Sequence, residues 1–292
     1  MFKRQSRGEL SFQFLVYSFL VLALVVVFIP LWRVFMTSFT PIDVFNRVGV
    51  PFVLGPWDWS LAAYRQLLGQ PAFLRATFNS LVITVSGTAL SLTLTVPLAY
   101  ALSTRTLPGR NLITTLILFT FLFHPGLVPH YLLVTKLGLT DNFLAIILPP
   151  AVSVYNTLVM KTFFEGIPEE LKEAARIDGA NDLQILRRVI LPLSVPILLT
   201  IGMFYAVYFW NEFFTPILYL NEASMQPLPV MLRNILSSAS VSEYVEYDAY
   251  SAASVDSLKS ASVLLTMLPM LVVYPWIQKY FTKGALVGGV KG

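Results

Sequence analysis

The chain has no cysteine, only two histidines and few charged residues, which make up 12% of its 292 residues. The absence of cysteine excludes disulfide bonds, thiolate metal sites and cysteine nucleophiles. Two histidines cannot supply a three-histidine zinc site. The charged fraction is about half that of an ordinary soluble domain, while 56% of the residues are apolar. This composition excludes a soluble surface, and it also excludes disorder, which requires low hydrophobicity and high net charge.

Charged residues are also unevenly spaced, and six long stretches contain none. These stretches are residues 10–32, 76–104, 111–135, 142–160, 189–211 and 260–278. About 20 apolar residues in a helix cross the hydrocarbon core, and a helix satisfies its own backbone hydrogen bonds in lipid. The sequence therefore predicts an all-α, polytopic membrane protein with six transmembrane helices. Prolines inside several stretches predict kinks or breaks, at positions that include Pro97, Pro125, Pro149, Pro150, Pro196 and Pro269.

The first stretch is predicted to remain as a helix rather than to be removed as a signal peptide. It exceeds the length of a signal-peptide apolar region, and Trp32-Arg33 follows it instead of a small-residue cleavage site. Lysine and arginine then fix the orientation, because they concentrate in cytoplasmic loops. Segments 1–9, 105–110, 161–188 and 279–292 hold 13 of the 20 basic residues. Both termini are therefore predicted to be cytoplasmic, and the net charge of +4 gives no indication of nucleic-acid binding.

Two predicted outer loops are rich in aromatic residues. One contains Trp57-Asp58-Trp59, and the other contains an acidic, tyrosine-rich run at 243–250. Aromatic residues of this kind form belts at membrane interfaces. They also suit a docking surface for an external protein or for sugar, and both interpretations stay open at the level of sequence.

The longest predicted cytoplasmic loop has the features of two short helices joined by a turn. Pro168 fits the first helical position, and Gly179 fits a helix end in the left-handed conformation. Asn181 or Asp182 could cap a second helix at 183–190, whose apolar residues recur at helical spacing. We therefore predict a structured elbow beneath the membrane. Small alanines in its first helix leave room for another surface to approach.

The residues of this elbow resemble the EAA motif of ABC importer permeases. The matching positions are Glu173, Ala174, Ala175, Asp178, Gly179, Leu191 and Pro192. Val189 stands where the motif usually has isoleucine. The run Ala-Arg-Ile-Asp-Gly-Ala at 175–180 is similar to the carbohydrate branch, the maltose-type G permeases, as is the tail at 281–292. Within that branch the chain resembles the subgroup that imports complex oligosaccharides, including alginate and pectin fragments.

The resemblance implies an ABC importer type I permease fold in the bacterial cytoplasmic (inner) membrane. It also implies a second, homologous permease subunit, two ATPase subunits, an external solute-binding protein and a saccharide substrate. ATP and Mg are expected on the ATPase subunits, with no cofactor on this chain, which lacks a Gly-x-x-x-x-Gly-Lys-[Ser/Thr] loop. The chain is thus expected to be a transport subunit rather than an enzyme. The elbow residues are expected to couple ATPase closure to alternating access.

The predicted organisation follows from these spans and loops. It comprises a cytoplasmic N-terminus at 1–9, a first transmembrane helix at 10–35, an external loop at 36–74, a permease core of five helices at 75–280 with the coupling loop at 161–196, and a cytoplasmic tail at 281–292. Residues 284–292 contain four glycines and are predicted not to form a stable helix of their own. They either fray or reach between the ATPase subunits.

Polar and aromatic residues near the fourth and fifth transmembrane stretches are candidates for a sugar pathway. They are Tyr155, Asn156, Tyr208, Trp210, Asn211 and Glu212. The ordinary interpretation of a charged residue near a helix end is that it reaches out to water. A secondary transporter or channel is the alternative function, but the six stretches lack the coupling charges near mid-membrane that this class needs. A membrane-embedded enzyme is a third class, for which no nucleophile and base pair is evident. His124 is interpreted as a packing residue at a kink or as a proton relay.

Overall fold

The structure is a computed structural model that describes residues 7–123, 125–237 and 253–288, and only the backbone of Arg7, Leu10 and 276–288. Its helices are α1 Arg7–Ser38, α2 Ile42–Val48, α3 Ala62–Gly69, α4 Pro71–Ser103, α5 Arg110–Leu122, α6 Leu127–Lys136, α7 Leu144–Ile147, α8 Val154–Glu165, α9 Glu169–Ile177, α10 Asp182–Ile185, α11 Leu191–Leu193, α12 Val195–Asn211, α13 Phe214–Tyr219, α14 Leu228–Ser237 and α15 Val255–Gly288. A π turn occupies Leu186–Ile190, and a 3₁₀ turn occupies Ala223–Met225. Across the described ranges, strand pairing is limited to one isolated bridge between Pro41 and Ala253. The all-α prediction is confirmed.

Three helices in the described chain are long and apolar enough to cross a membrane singly, and they lie in α1, α4 and α15. Two bent pairs also pass this test when each pair is counted as one span, which raises the number to five. The first pair is α5 with α6, bent by 109°, and the second is Asp182–Leu193 with α12, bent by 86°.

Of the six predicted transmembrane stretches, residues 142–160 are the one that matches neither a single long helix nor a bent pair of helices. It is divided between the short helices α7 and α8, with Pro149 and Pro150 between them. Proline cannot donate a backbone hydrogen bond, and it disfavours helical conformation at the residue before it. The predicted break therefore occurs here, and it opens the wall of a cavity described below.

The described chain separates into two compact units. The first combines residues up to Pro71 with 234–267. A chain of aromatic contacts organises it, with the Trp59 ring against Phe35 and Phe39 and the Tyr64 ring against Phe39. The Tyr64 hydroxyl donates to Ser38 Oγ at 2.7 Å, and burial raises the pKa of Tyr64.

Serine side chains hold the start of α15 within the same unit. Ser254 Oγ accepts from the Ser257 backbone N–H at 3.1 Å, which caps the helix. Ser257 Oγ then donates to the Thr40 carbonyl at 2.7 Å. This contact joins α15 to the segment that follows α1.

The second unit comprises 72–233 and 268–292, and its apolar core is made by α4, α7, α8, α12 and the elbow. Ile83, Met160, Phe164, Ile185 and Ile201 are among its fully buried members. Close packing of α4 on α12 depends on glycine. A β-carbon at Gly87 would lie 2.7 Å from the Phe209 ring, far inside ordinary contact distance.

Several predictions concern residues at the limits of the description. His124, residues 243–250, residues 1–6 and residues 289–292 lie outside the described residues. Residues 284–288 continue the long helix α15 and do not nucleate a helix of their own, so the expectation that this tail forms no independent helix stays a prediction. The predicted division into 1–9, 10–35, 36–74, 75–280 and 281–292 stays a prediction.

Candidate coupling elbow and substrate cavity

The elbow begins with α9 and turns at Gly179. Pro168 is the N-cap residue immediately before α9, rather than the first helical residue as predicted. Gly179 has φ +82°, its N–H donates to the Arg176 carbonyl, and the Ala180 N–H donates to the Ala175 carbonyl. This pair of bonds is the Schellman arrangement, which glycine favours because it has no β-carbon. The predicted left-handed turn is confirmed.

The second arm of the elbow is capped by Asn181 rather than Asp182. Asn181 Oδ1 accepts from the Gln184 N–H, and Gln184 Oε1 accepts from the Asn181 N–H, both at 2.9 Å. The predicted helix at 183–190 is only partly correct, because α10 passes into the π turn at Leu186–Ile190. Pro192 gives the physical reason: it cannot donate to the Arg188 carbonyl, and its ring crowds that carbonyl in a regular α-helix.

Ion pairs link the two arms of the elbow. Lys172 is 4% exposed, and its Nζ lies 2.8 Å from Glu169 Oε2. Arg176 lies between the two arms, with Nη1 3.6 Å from Glu169 Oε1 and Nη2 3.7 Å from Asp182 Oδ1. The hydrogen bond from Lys172, aided by the nearby positive charges, lowers the pKa of Glu169. The arms are therefore held at a fixed angle by backbone and side-chain contacts together.

The elbow is also joined to the membrane helices through the apolar core. Ile185, Leu186 and Ile190 are buried in the same cluster as Met160 and Phe164 of α8. The elbow and α8 therefore belong to one closely packed interior, and interiors of this density have low compressibility.

A second contact at the end of α8 involves charged groups. Glu165 forms an ion pair with Arg110 at the start of α5, and the Lys161 ammonium lies 3.1 Å from the same carboxylate. Arg110 Nε also donates to the Leu102 carbonyl at 2.7 Å. This cluster ties the ends of α4, α5 and α8 together.

The outward face of α9 carries the residues predicted to meet an ATPase. Glu173, Ala174 and Asp178 are exposed, and Glu173 has no ion-pair partner within the described residues. A cavity of about 300 Å³ between the arms is lined by Ala175, Asp178, Gly179, Ala180, Gln184, Arg188 and Val189. Leu191 instead packs on the core, and Pro192 is exposed beyond the π turn. The structure thus brings three of the seven predicted residues into one cavity, and the coupling role of the set stays a prediction.

A larger cavity, of about 440 Å³, lies where the break before α8 faces α12. Its lining residues are Pro150, Val152, Ser153, Tyr155, Asn156, Phe204, Tyr205 and Tyr208. Three of the six predicted pathway residues, Tyr155, Asn156 and Tyr208, therefore line the same cavity. The rings of Tyr155 and Phe204 have centroids 6.5 Å apart. The volume is in the range of small-molecule sites, which combine aromatic walls with a few polar groups.

Tyr205 fixes the geometry of this cavity, although it is not one of the six predicted pathway residues. Its side chain is 2% exposed. Its hydroxyl lies 2.7 Å from Thr95 Oγ1 on α4 and accepts from the Ser153 N–H at 3.0 Å. One hydroxyl therefore joins three segments that are far apart along the chain. Its position three residues before Tyr208 was the only signal in the sequence.

Two of the other three predicted pathway residues make local hydrogen bonds, and the third, Trp210, is buried. Trp210 is 2% exposed. Asn211 Nδ2 donates to the Val207 carbonyl at 2.8 Å, and Glu212 Oε1 accepts from the Thr215 N–H at 2.9 Å. None of the three lines the cavities described for this part of the chain. Their role in a pathway stays a prediction.

A second cavity, of about 390 Å³, adjoins the first. It is lined by Gly126, Leu127, His130, Pro149, Pro150, Tyr208 and Thr215. Pro150 and Tyr208 belong to both cavities. Two cavities therefore flank the Tyr208 side chain.

Comparison with known proteins identifies the family. Residues 2–286 match the model of the binding-protein-dependent transport system inner membrane component family. The chain is 41% identical over 283 residues to the polygalacturonan/rhamnogalacturonan transport system permease protein YtcP of Bacillus subtilis strain 168, covering 96% of this chain and 98% of that protein. It is 30% identical over 293 residues to the arabinooligosaccharides transport system permease protein AraQ of Halalkalibacterium halodurans, covering 99% of this chain and 100% of that protein.

A solved structure is similar as well. The crystal structure of a bacterial ABC transporter involved in the import of the acidic polysaccharide alginate matches with a TM-score of 0.87 and 31% identity. The match covers 96% of this chain and 100% of that chain. The type I permease fold is confirmed, and the alternatives of a secondary transporter, a channel or a membrane-embedded enzyme are set aside. The chain belongs to the binding-protein-dependent transport system inner membrane component family and is an ABC transporter permease of the bacterial inner membrane.

Proposed function

We propose that this chain is the permease subunit of an ATP-driven importer of oligosaccharides, and that acidic oligosaccharides are its substrates. The similarity to YtcP, together with that to the alginate importer, supports the acidic class. The observation that carries the proposal is the cavity beside the break before α8, lined by Tyr155, Asn156 and Tyr208. Tyrosine rings suit the apolar faces of sugar rings, and the amide and hydroxyl groups suit sugar hydroxyls.

The elbow supplies the coupling. Its outward face offers the Glu173 carboxylate beside Ala174, whose small side chain lets the cleft of an ATPase subunit approach closely. Because ion pairs and the Schellman turn fix the angle between its arms, the elbow moves as a rigid body, as in other hinge and shear transitions. Ile185 and Ile190 pass this movement to α8 and α12 through the core.

In the complete importer, this chain assembles with three kinds of partner subunit. They are a second homologous permease, two ATPase subunits that carry ATP and Mg, and an external solute-binding protein. This chain then contributes no nucleotide site and no cofactor of its own. The second permease completes the walls of the pathway, and the solute-binding protein delivers sugar to its outer end.

Purification of the whole complex tests the proposal. The chain is tagged, extracted from native membranes in mild detergent and reconstituted with its co-purifying subunits in proteoliposomes. We expect ATP hydrolysis that increases with a binding protein loaded with oligogalacturonate, together with uptake of that sugar. Absence of an ATPase from the purified material, or hydrolysis and uptake that respond to no saccharide, would contradict the proposal.

A further inference from the structure

The second cavity brings a histidine, His130, into the same lining as Tyr208. Among the described residues that line the two cavities, His130 is the single side chain that can carry a positive charge, and none is Asp or Glu. Glu212, which follows Tyr208 by one helical turn, is not among the residues that line the cavities, but its carboxylate accepts from the Tyr208 hydroxyl and from the Thr215 N–H. A ligand in these cavities therefore meets aromatic rings, hydroxyls, the Asn156 amide and one imidazole, and the Glu212 carboxylate lies behind the Tyr208 hydroxyl.

The imidazole of His130 is held in a defined orientation. Its Nδ1 lies 3.3 Å from the Tyr219 hydroxyl. Tyr219 is completely buried, and the Tyr131 ring stacks on it with centroids 5.7 Å apart and planes at 10°. Because Nδ1 is occupied by this contact, Nε2 is the ring nitrogen left for a ligand. When the Tyr219 hydroxyl donates to Nδ1, the proton of the neutral ring lies on Nε2 and makes it a hydrogen-bond donor.

Asp141 in turn fixes the segment that carries Tyr219. The Asp141 N–H donates to the Tyr219 carbonyl at 2.8 Å. Its Oδ1 accepts from the backbone N–H groups of Asn221 at 2.6 Å and Glu222 at 3.2 Å. Asp141 is also the single non-glycine residue with positive φ, +53°, within the described residues. A backbone held in this unfavourable region marks a position that the surrounding contacts determine.

We propose that His130 contacts the substrate and binds the carboxylate of an acidic sugar unit in the second cavity, while the neighbouring rings of Tyr208 and Tyr155 meet sugar faces in the first. The inference rests on the proposed function and deepens it by naming the group that recognises the acid. Nε2–H donates to the carboxylate oxygen, which is a hydrogen bond to a charged acceptor. Tyr219 is then a positioning residue, because it touches His130 rather than the sugar.

Uptake by cells of the native host, with each variant replacing the native copy, tests the inference. The probes are a labelled oligogalacturonate and a neutral oligosaccharide of equal length, and the solute-binding protein is unchanged throughout. We expect His130→Gln to raise the half-saturating concentration of oligogalacturonate by roughly tenfold, which is the size of one hydrogen bond to a charged group. Uptake of the neutral sugar should stay within about twofold of wild type.

Two further variants separate charge, position and folding. Lys136→Gln removes a positive charge from the exposed end of the same helix, α6, and should leave uptake of both sugars unchanged. Tyr219→Phe keeps the buried ring but removes the hydroxyl that contacts Nδ1. It should lower oligogalacturonate uptake in the same direction as His130→Gln, by less. Membrane abundance of each variant is measured by immunoblot, and uptake is normalised to it.

The possible outcomes distinguish failure of the inference from failure of the proposed function on which it rests. If His130→Gln changes neither sugar, or lowers both equally, His130 does not recognise the acid, although the importer function stands. If wild-type cells take up the neutral sugar and not oligogalacturonate, the inference fails and the acidic substrate class fails with it. If wild-type cells take up neither sugar, the proposed function itself fails.

Discussion

The coupling elbow and the substrate cavity are built in opposite ways. The contacts that shape the elbow lie within about twenty residues of one another along the chain, from Glu169 to Asp182 and on to Pro192. Those that shape the cavity join residues 52 to 110 positions apart, through the hydroxyl of Tyr205. The elbow is thus a local structure that the chain presents to a partner, whereas the cavity exists only after α4, α8 and α12 have packed. Variants in the two regions should therefore fail differently.

The largest effect is expected from Gly179→Val. Its φ of +82° costs a residue with a β-carbon roughly 1–2 kcal/mol, and a valine there would shift the angle between the elbow arms. We expect the protein to remain in the membrane while uptake falls at least tenfold and ATP hydrolysis no longer follows substrate. Gly138→Val is the matched control, because Gly138 has φ +68° and open space around it as well but lies outside the elbow. Equal loss of uptake in both variants would show that uptake does not depend specifically on the geometry of the elbow turn.

Charge reversal at Glu173 should give the next largest effect. Glu173 is exposed on the outward face of α9, so Glu173→Lys should leave folding intact and weaken association with the ATPase subunit. The readout is the amount of ATPase that co-purifies with the tagged chain, together with uptake. Glu170→Lys, also exposed and in the same helix, is the control for charge alone. Normal transport by Glu173→Lys would remove this residue from the coupling surface.

Cysteine labelling sharpens the description of the cavity, since the chain has no cysteine of its own. Tyr208 is 44% exposed and Tyr205 is 2% exposed. A water-soluble thiol reagent should therefore modify Tyr208→Cys at least about tenfold faster than Tyr205→Cys, because a buried thiol is inert. Sugar-loaded binding protein should change the rate at position 208.

Two further positions complete the labelling experiment. Asn211→Cys should also react, as Asn211 is exposed. Trp57→Cys, at a position 96% exposed in the outer loop, reports that the reagent is active. If only position 57 is modified in every state, α12 does not face an aqueous pathway.

The hydroxyl of Tyr205 should contribute a moderate amount to stability. Tyr205→Phe leaves the Ser153 N–H without its acceptor and removes the contact with Thr95 Oγ1. The expected loss is about 1–3 kcal/mol in the free energy of unfolding. Thermal unfolding of the purified complex measures the change, and a double-mutant cycle with Thr95→Val isolates the coupling between the two side chains. A coupling near zero would show that Tyr205 acts through packing alone.

The smallest effect concerns pH at the outer connection. Hydrogen bonds from the side chain and backbone of Asn221 lower the pKa of Asp141 below its usual 3.8. Because the folded-state pKa is depressed, the stabilisation is present at neutral pH and is lost as the pH falls through the folded-state value. Asp141→Asn should therefore lower the unfolding temperature slightly at pH 7. At a pH below the folded-state pKa of Asp141, the same substitution should leave the unfolding temperature nearly unchanged. An equal decrease at both pH values would assign the effect to geometry rather than to charge.

The sequence by itself determined most of the elbow. The features that could be predicted are the EAA spacing, the glycine at 179 and a cap at Asn181 or Asp182. They could be predicted because Schellman turns and capping boxes depend on residues within one helical turn. Charge-free stretches likewise determined the all-α membrane class, since hydrocarbon excludes charge regardless of packing. The π turn was missed, because a proline after a periodic apolar run indicates an end or a kink without specifying its form.

Only the tertiary structure decided which polar groups meet at the cavities. Trp210, Asn211 and Glu212 were predicted beside Tyr208, yet none of them is among the residues that line either cavity. The contacts of Tyr205, His130 and Asp141 could not be predicted from the sequence, because each depends on a partner 52 to 110 residues away. Hydrophobic periodicity places a residue on a helix face, but it does not show which face of another helix packs against that residue. The packing of α4, α8 and α12 supplies that information.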